Sequence, residues 1–89
     1  MARQRYIVTG KVQKIGFRYW THHIATSYGL LGWVRNLPDG SVEVVAEGDI
    51  ATLRQFEEEL WRGPVSGEIT NVNPCETDLD EPLSEFSIR

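Results

Sequence analysis

Two short segments carry the side chains that could do chemistry in this 89-residue sequence. The first is Val8–Arg18, VTGKVQKIGFR, which starts with strand-like alternation and ends where a helical period begins. The first amides of a helix have no intrahelical partner, and the positive end of the helix dipole lies behind them. A phosphate placed there accepts several backbone hydrogen bonds. Gly16 lets the backbone approach such an anion closely, and Arg18 offers a bidentate, permanently charged clamp that suits phosphate better than lysine does. The second segment is Gly32–Gly40, GWVRNLPDG, where Asn36 falls near the end of a strand and its amide could orient a water. Taken singly, each residue has a simpler reading. Arg18 alone is a surface cation after a turn, and Asn36 alone is an amide bonding its own turn, common before Pro38-Asp39-Gly40.

The remaining reactive side chains point elsewhere. His22 and His23 are adjacent in a helical segment, so they diverge by about 100° and cannot both face one site. Cys75 is the single cysteine, which rules out an intrachain disulfide and a cysteine-based metal site. In a strand it reads as a small, half-buried apolar residue. The net charge of −4 is unevenly spread. Residues 1–38 hold six cations and no acid; the rest holds all thirteen acids and only three arginines, giving +6 and −10. An acidic protein makes a poor nucleic-acid binder, whereas a cationic first half can create a local site for a small anion. Equally, the two halves can simply neutralise each other in the fold. With no apolar leader and no membrane-length run, the expectation is a cytoplasmic protein without a membrane partner.

The elements that must position these residues follow from periodicity. Arg5–Val12 reads as a strand with Tyr6, Val8, Gly10 and Val12 on one face. Phe17, Trp20, Ile24 and Tyr28, with Ala25 beside them, mark a helix that stops at Gly29. Leu31–Leu37 and Ser41–Glu47 form a hairpin about Pro38-Asp39-Gly40. A second helix opens at Gly48-Asp49, with Asp49 as its cap. Its stripe is Ile50, Leu53, Phe56 and Leu60, widened by Trp61, and it ends at Arg62-Gly63-Pro64. The three tryptophans read as core residues. Glu68–Cys75 is a fourth strand, Asp78–Pro82 an acidic loop, and Ser84–Ile88 a short final strand. The order β-α-β-β-α-β plus a small strand predicts one α+β domain over 1–89. The fold expected is the ferredoxin-like sandwich, an antiparallel sheet with both helices on one face. That architecture hosts enzymes, metal carriers and RNA binders, so it does not fix function.

Together the two segments are more specific than either. VTGKVQKIGFR resembles the first signature of the acylphosphatase family, in which a Gly, a Val-Gln and a Phe-Arg bracket a phosphate loop. Gly32, Trp33, Val34, Arg35, Asn36, Gly40, Val42 and Gly48 resemble the second signature throughout. The resemblance covers the whole chain. It implies that Arg18 is the catalytic arginine holding the phosphate, that Asn36 positions the attacking water, and that the amides of Lys14, Ile15, Gly16, Phe17 and Arg18 form the cradle within the Gln13–Arg18 loop. It further implies small acyl phosphates as substrates and no metal or organic cofactor; inorganic phosphate is the expected competing ligand and a monomer the expected state, although the sequence does not reveal oligomerisation. An acyl phosphate is a reactive mixed anhydride, so no strong nucleophile has to be made; a neutral amide at Asn36 contributes alignment rather than proton transfer.

Lys14 departs from the family's loop, which normally carries glycine at that position. Three consequences stand open. A requirement for positive φ would store backbone strain; the loop could shift and spoil the cradle; or the lysine could add a cation beside the anion. The alternative function is therefore a low-activity or non-catalytic, anion-binding member of the family. An RNA-binding sheet ranks far behind, because SVEVVAE lacks exposed aromatics and the chain is acidic.

Overall fold

The computed structural model describes residues 1–89 and consists of seven elements. These are β1 (Ala2–Lys11), α1 (Phe17–Ser27), β2 (Leu31–Asn36), β3 (Val42–Gly48), α2 (Ile50–Arg62), β4 (Glu68–Cys75) and β5 (Phe86–Ile88). The strands form one sheet in the order β4-β1-β3-β2-β5, and both helices cover one face, giving the expected ferredoxin-like sandwich. One expectation is corrected: β5 pairs with β2 in parallel, Gly32 opposite Phe86 and Val34 opposite Ile88, so the sheet is mixed. Strand β1 also begins earlier than the apolar alternation suggests. Its first residues pair with β3, Ala2 opposite Gly48 and Arg3 opposite Glu47, and the Arg3–Glu47 ion pair carries a register that hydrophobicity does not reveal.

The core lies between helices and sheet. Tyr6, Val8 and Val12 of the first strand segment, Val42, Val44 and Ala46 of β3, and Leu53, Phe56 and Leu60 of α2 are all buried. Phe56 sits at its centre, edge-on to Tyr6 (5.9 Å between ring centroids) and to Phe86 (6.5 Å), a geometry favoured by the ring quadrupoles. On α1 the fully buried line is Phe17, Thr21 and Ala25, with Trp20, Ile24 and Tyr28 only partly covered. The small side chains of Thr21 and Ala25 let the helix approach the sheet.

Other readings are corrected by burial. Ile50 and Trp61 lie outside the buried stripe of α2, both exposed. Asp49 occupies the N-cap position without a side-chain capping bond. The tryptophans do not share one core. Trp20 is half-buried, Trp61 is exposed, and Trp33 is buried on the helix-free face of the sheet, beneath the guanidinium groups of Arg35 and Arg89 at 5.2 and 4.7 Å. His22 packs against Phe86 and His23 faces out, while Cys75 is half-buried and donates only to the Asn73 carbonyl. No helix is long and apolar enough to cross a membrane.

The topology decides where chemistry can occur. Strands β1 and β2 both run antiparallel to β3, so they are parallel to each other and end at the same edge. Val42, the first residue of β3, faces Val8 on one side and Asn36 on the other. Two strand spacings, about 10 Å, therefore separate the end of β2 from β1, and the β1–α1 turn has to lean across that gap.

Candidate active site

The turn between β1 and α1 comprises Val12–Gly16. Lys14 has φ 66° and Gly16 has φ 78°, while Ile15 between them is not in the positive region. Such alternation of left-handed and ordinary residues is the backbone pattern from which anion-binding nests are built. Gly16 is also the N-cap of α1, and a side chain added there would meet open space. Lys14 is the single non-glycine residue with positive φ in the chain, and left-handed backbone costs an L-residue about 1–2 kcal/mol. The turn is held from within: Phe17 is buried in the core, and Ile15 packs against it. None of the amides from Lys14 to Tyr19 donates to a backbone carbonyl, and the first bond of the helix runs from Trp20 N–H to the Gly16 carbonyl (2.9 Å). These orphan donors are what an anion can use.

Arg18, Lys14, Gly16 and Asn36 line one small cavity of about 100 Å³, closed at its apolar side by Val12, Phe17 and Tyr19. The half-buried Arg18 guanidinium donates to the Arg89 backbone carbonyl at 3.0 Å. Arg89 is itself fixed: its amide donates to the Val34 carbonyl (2.8 Å) and its guanidinium engages Glu81 through both nitrogens (3.2 and 3.0 Å). Arg89, the residue directly after the short parallel strand β5, thus holds the Arg18 guanidinium.

Asn36 is exposed, the last residue of β2. Its side-chain amide makes no hydrogen bond to the protein, because Asp39 has taken the role of holding the turn. The Asp39 carboxylate accepts the Ser41 amide (2.9 Å) and hydroxyl (2.5 Å), and the Ser41 hydroxyl and amide hold that carboxyl below its ordinary value. The reading of Asn36 as a turn-bonding amide is therefore corrected. Its donor and acceptor are free to hold a ligand or a water.

Charge is sorted by the fold. Of the six cations in the first half, Arg3 pairs with Glu47, and Arg5 and Arg35 both pair with Glu43. Lys11, Lys14 and Arg18 form no ion pair, and two of these three line the cavity. Glu43 is 4% exposed. Burial pushes its carboxyl up, but hydrogen bonds from Arg5 and Arg35 outweigh burial and hold it below the usual value. A larger hollow of about 250 Å³ lies on the helix-free face beside Arg5, Trp33, Arg35 and Glu43. Its guanidinium groups are already committed to Glu43, so the free positive charge belongs to the smaller cavity.

One lining residue, and one contact made by a residue already placed in the loop, were not singled out from sequence. Tyr19, 70% exposed, stands at the cavity's apolar side; its place immediately after Arg18 in the first helical turn was the available signal. The Gln13 side chain bonds across to the β2–β3 turn, a contact that no local pattern announces.

A ferredoxin-like sandwich places unbonded amides, an arginine and a lysine around one cavity of an α+β domain. The comparisons with known proteins specify it further. The acylphosphatase family model matches residues 4–88. An acylphosphatase of Koribacter versatilis is 42% identical over 85 residues, spanning 96% of this chain and 77% of that protein. One from Thermotoga maritima is 45% identical over 82 residues, 92% of this chain and 90% of that protein. The crystal structure of acylphosphatase from Bacillus subtilis superposes with a TM-score of 0.93 at 38% identity, covering 100% of this chain and 99% of that one. The chain belongs to the acylphosphatase family and is a hydrolase of that kind.

Proposed function

We propose that this chain, as one domain over residues 1–89, hydrolyses acyl phosphates to carboxylate and inorganic phosphate at the cavity between Lys14, Arg18 and Asn36. The observation that carries this reading is the convergence on one small cavity of unbonded amides, an Arg18 guanidinium that no carboxylate side chain neutralises, and the free Asn36 amide. In this reading the phosphoryl group sits against the amides of Lys14–Arg18, with the Arg18 guanidinium as the clamp. Asn36 holds the attacking water beside it. The water's oxygen is added as the mixed anhydride breaks, and a phosphate oxygen of the substrate accepts its proton. No protein base is needed, and none of the residues around the cavity is one poised to serve. Arg18 and the amides stabilise the charge that develops on the phosphoryl oxygens. Tyr19 flanks the acyl portion, so an apolar acyl group gains contact there.

Lys14 keeps the left-handed turn at a cost in strain and adds a cation where the anion binds. The alternative reading, a family member that binds anions with little turnover, rests on that same strained residue.

The test is hydrolysis of benzoyl phosphate without added metal, with inorganic phosphate as competitor. The wild-type protein turns over, and phosphate competes. Arg18→Ala and Asn36→Ala each lower kcat/KM by about 100- to 1000-fold, the typical cost of one preorganised donor, while the thermal midpoint stays near wild type. Near-normal turnover in either variant would overturn that residue's role. A folded wild-type protein that binds phosphate without turnover would favour the alternative.

A further inference from the structure

We infer that Gln13 is a positioning residue that sets the distance between the phosphate loop and Asn36. Its side-chain amide donates both hydrogens across the gap, to the Leu37 carbonyl at 2.8 Å and the Ser41 carbonyl at 2.9 Å. These carbonyls flank the Pro38-Asp39-Gly40 turn, and Leu37 directly follows Asn36. Gln13 directly precedes Lys14, so a single side chain joins the first residue of the cradle to the neighbour of the water-holding amide.

Each side of this bridge is self-supporting. The loop is pinned by buried Phe17 and by Ile15 packed on the core. The turn is closed by Leu37 N–H to the Ser41 carbonyl (2.8 Å), by Gly40 N–H to the Leu37 carbonyl (3.2 Å), and by Asp39. The sheet ladder holds the parent strands through β3, Val8 and Asn36 both opposite Val42, but it stops there, and the phosphate loop and the Leu37–Ser41 turn both extend past its last pair. Gln13 supplies the restraint beyond it. It also helps over-determine Lys14, since strained backbone persists only where the surroundings hold it. The Gln13 amide is used up by these carbonyls, so it acts on the reaction through Asn36 rather than by touching substrate.

The inference rests on the proposed role of Asn36, and the experiment separates the two. In Gln13→Ala, kcat on benzoyl phosphate falls about ten- to a hundredfold, the cost of a displaced reacting group. Inhibition by inorganic phosphate changes less than about twofold, because the loop's own amides persist. In an Asn36→Ala background, Gln13→Ala costs nothing further, since residues acting as a unit are not additive. Gln13→Glu turns a carboxylate toward two carbonyls. Its kcat recovers as pH falls and the carboxyl, raised above its ordinary value by the two facing carbonyls, gains a proton to donate, whereas Gln13→Ala shows no such recovery. Wild-type kcat in Gln13→Ala would overturn the inference, as would an equal loss in the Asn36→Ala background or parallel loss of phosphate binding and thermal stability. Near-normal turnover in Asn36→Ala alone would sink the proposed role of Asn36 instead.

Discussion

Replacing Lys14 by glycine tests the loop most directly, because its positive φ and its place in the proposed anion site predict opposing effects on stability and on binding. Its φ of 66° lies in the left-handed region, which costs an L-residue about 1–2 kcal/mol and glycine almost nothing. Its side chain is exposed and makes no hydrogen bond or ion pair, so truncation removes no contact. Glycine frees the unfolded chain, offsetting roughly 0.5–1 kcal/mol of the gain. The net stabilisation is then about 0.5–1 kcal/mol, which for a chain of this length raises Tm by roughly 3–5 °C. The same substitution removes a cation from the cavity. A solvent-exposed charge at contact distance is worth about 1 kcal/mol, so inhibition by phosphate weakens about fivefold, with kcat within about twofold of wild type. The difference shrinks as added salt screens the lysine. Thermal melts, together with benzoyl phosphate kinetics across a phosphate series, measure both effects. An unchanged or lower Tm would refute the strain argument. A tenfold rise in kcat would show that Lys14 distorts the cradle and would establish the low-activity alternative.

Two further predictions concern the surroundings of the site. Glu43→Gln removes the buried carboxylate between Arg5 and Arg35 and destabilises the fold by about 2 kcal/mol, below the full cost of breaking a buried pair because both arginines reach solvent. Because the carboxyl's folded value is held below its unfolded value near 4.3, its contribution is complete at neutral pH and is lost as pH falls through the folded value; melts from pH 7 to 3 will show a steeper acid loss in wild type than in Glu43→Gln, and equal slopes would refute this. Tyr19→Ala raises KM for benzoyl phosphate about fivefold, the loss expected for one aromatic contact, and leaves acetyl phosphate within about twofold; equal effects on both substrates would remove Tyr19 from the acyl side.

The element order and both candidate segments were legible because each rests on local chemistry. Apolar spacing marks α1 and α2, Pro38-Asp39-Gly40 marks the hairpin, and Gly16 with Arg18 marks a helix start suited to an anion. What was not legible depends on partners distant in sequence. Strand β1 begins at Ala2 because Arg3 meets Glu47, forty-four residues away. Trp33 is buried on the face opposite the helices because Arg35 and Arg89 cover it. Whether Asn36 bonded its own turn could not be read from NLPDGS, since Asn36 and Asp39 both suit that task and only the folded turn assigns it to Asp39. Lys14 was recognised as a departure, but its conformation required the backbone itself.

The site follows from arithmetic between charge and topology. The first half of the chain carries six cations and the second half all thirteen acids, and antiparallel pairing lays β3, with Glu43 and Glu47, against both β1 and β2. Every cation on a strand facing those glutamates is neutralised: Arg3, Arg5 and Arg35. The turn after β1 lies beyond the reach of that register, so Lys14 and Arg18 keep their charge where the amides of α1 are also unbonded. An overall acidic protein thereby keeps two cations without a side-chain ion pair at one edge of the sheet, and that edge is where β2 delivers Asn36. The same pairing that stabilises the sheet thus leaves the cations without a side-chain ion pair at its end, where the proposed anion site lies, because Glu43 and Glu47 engage the others.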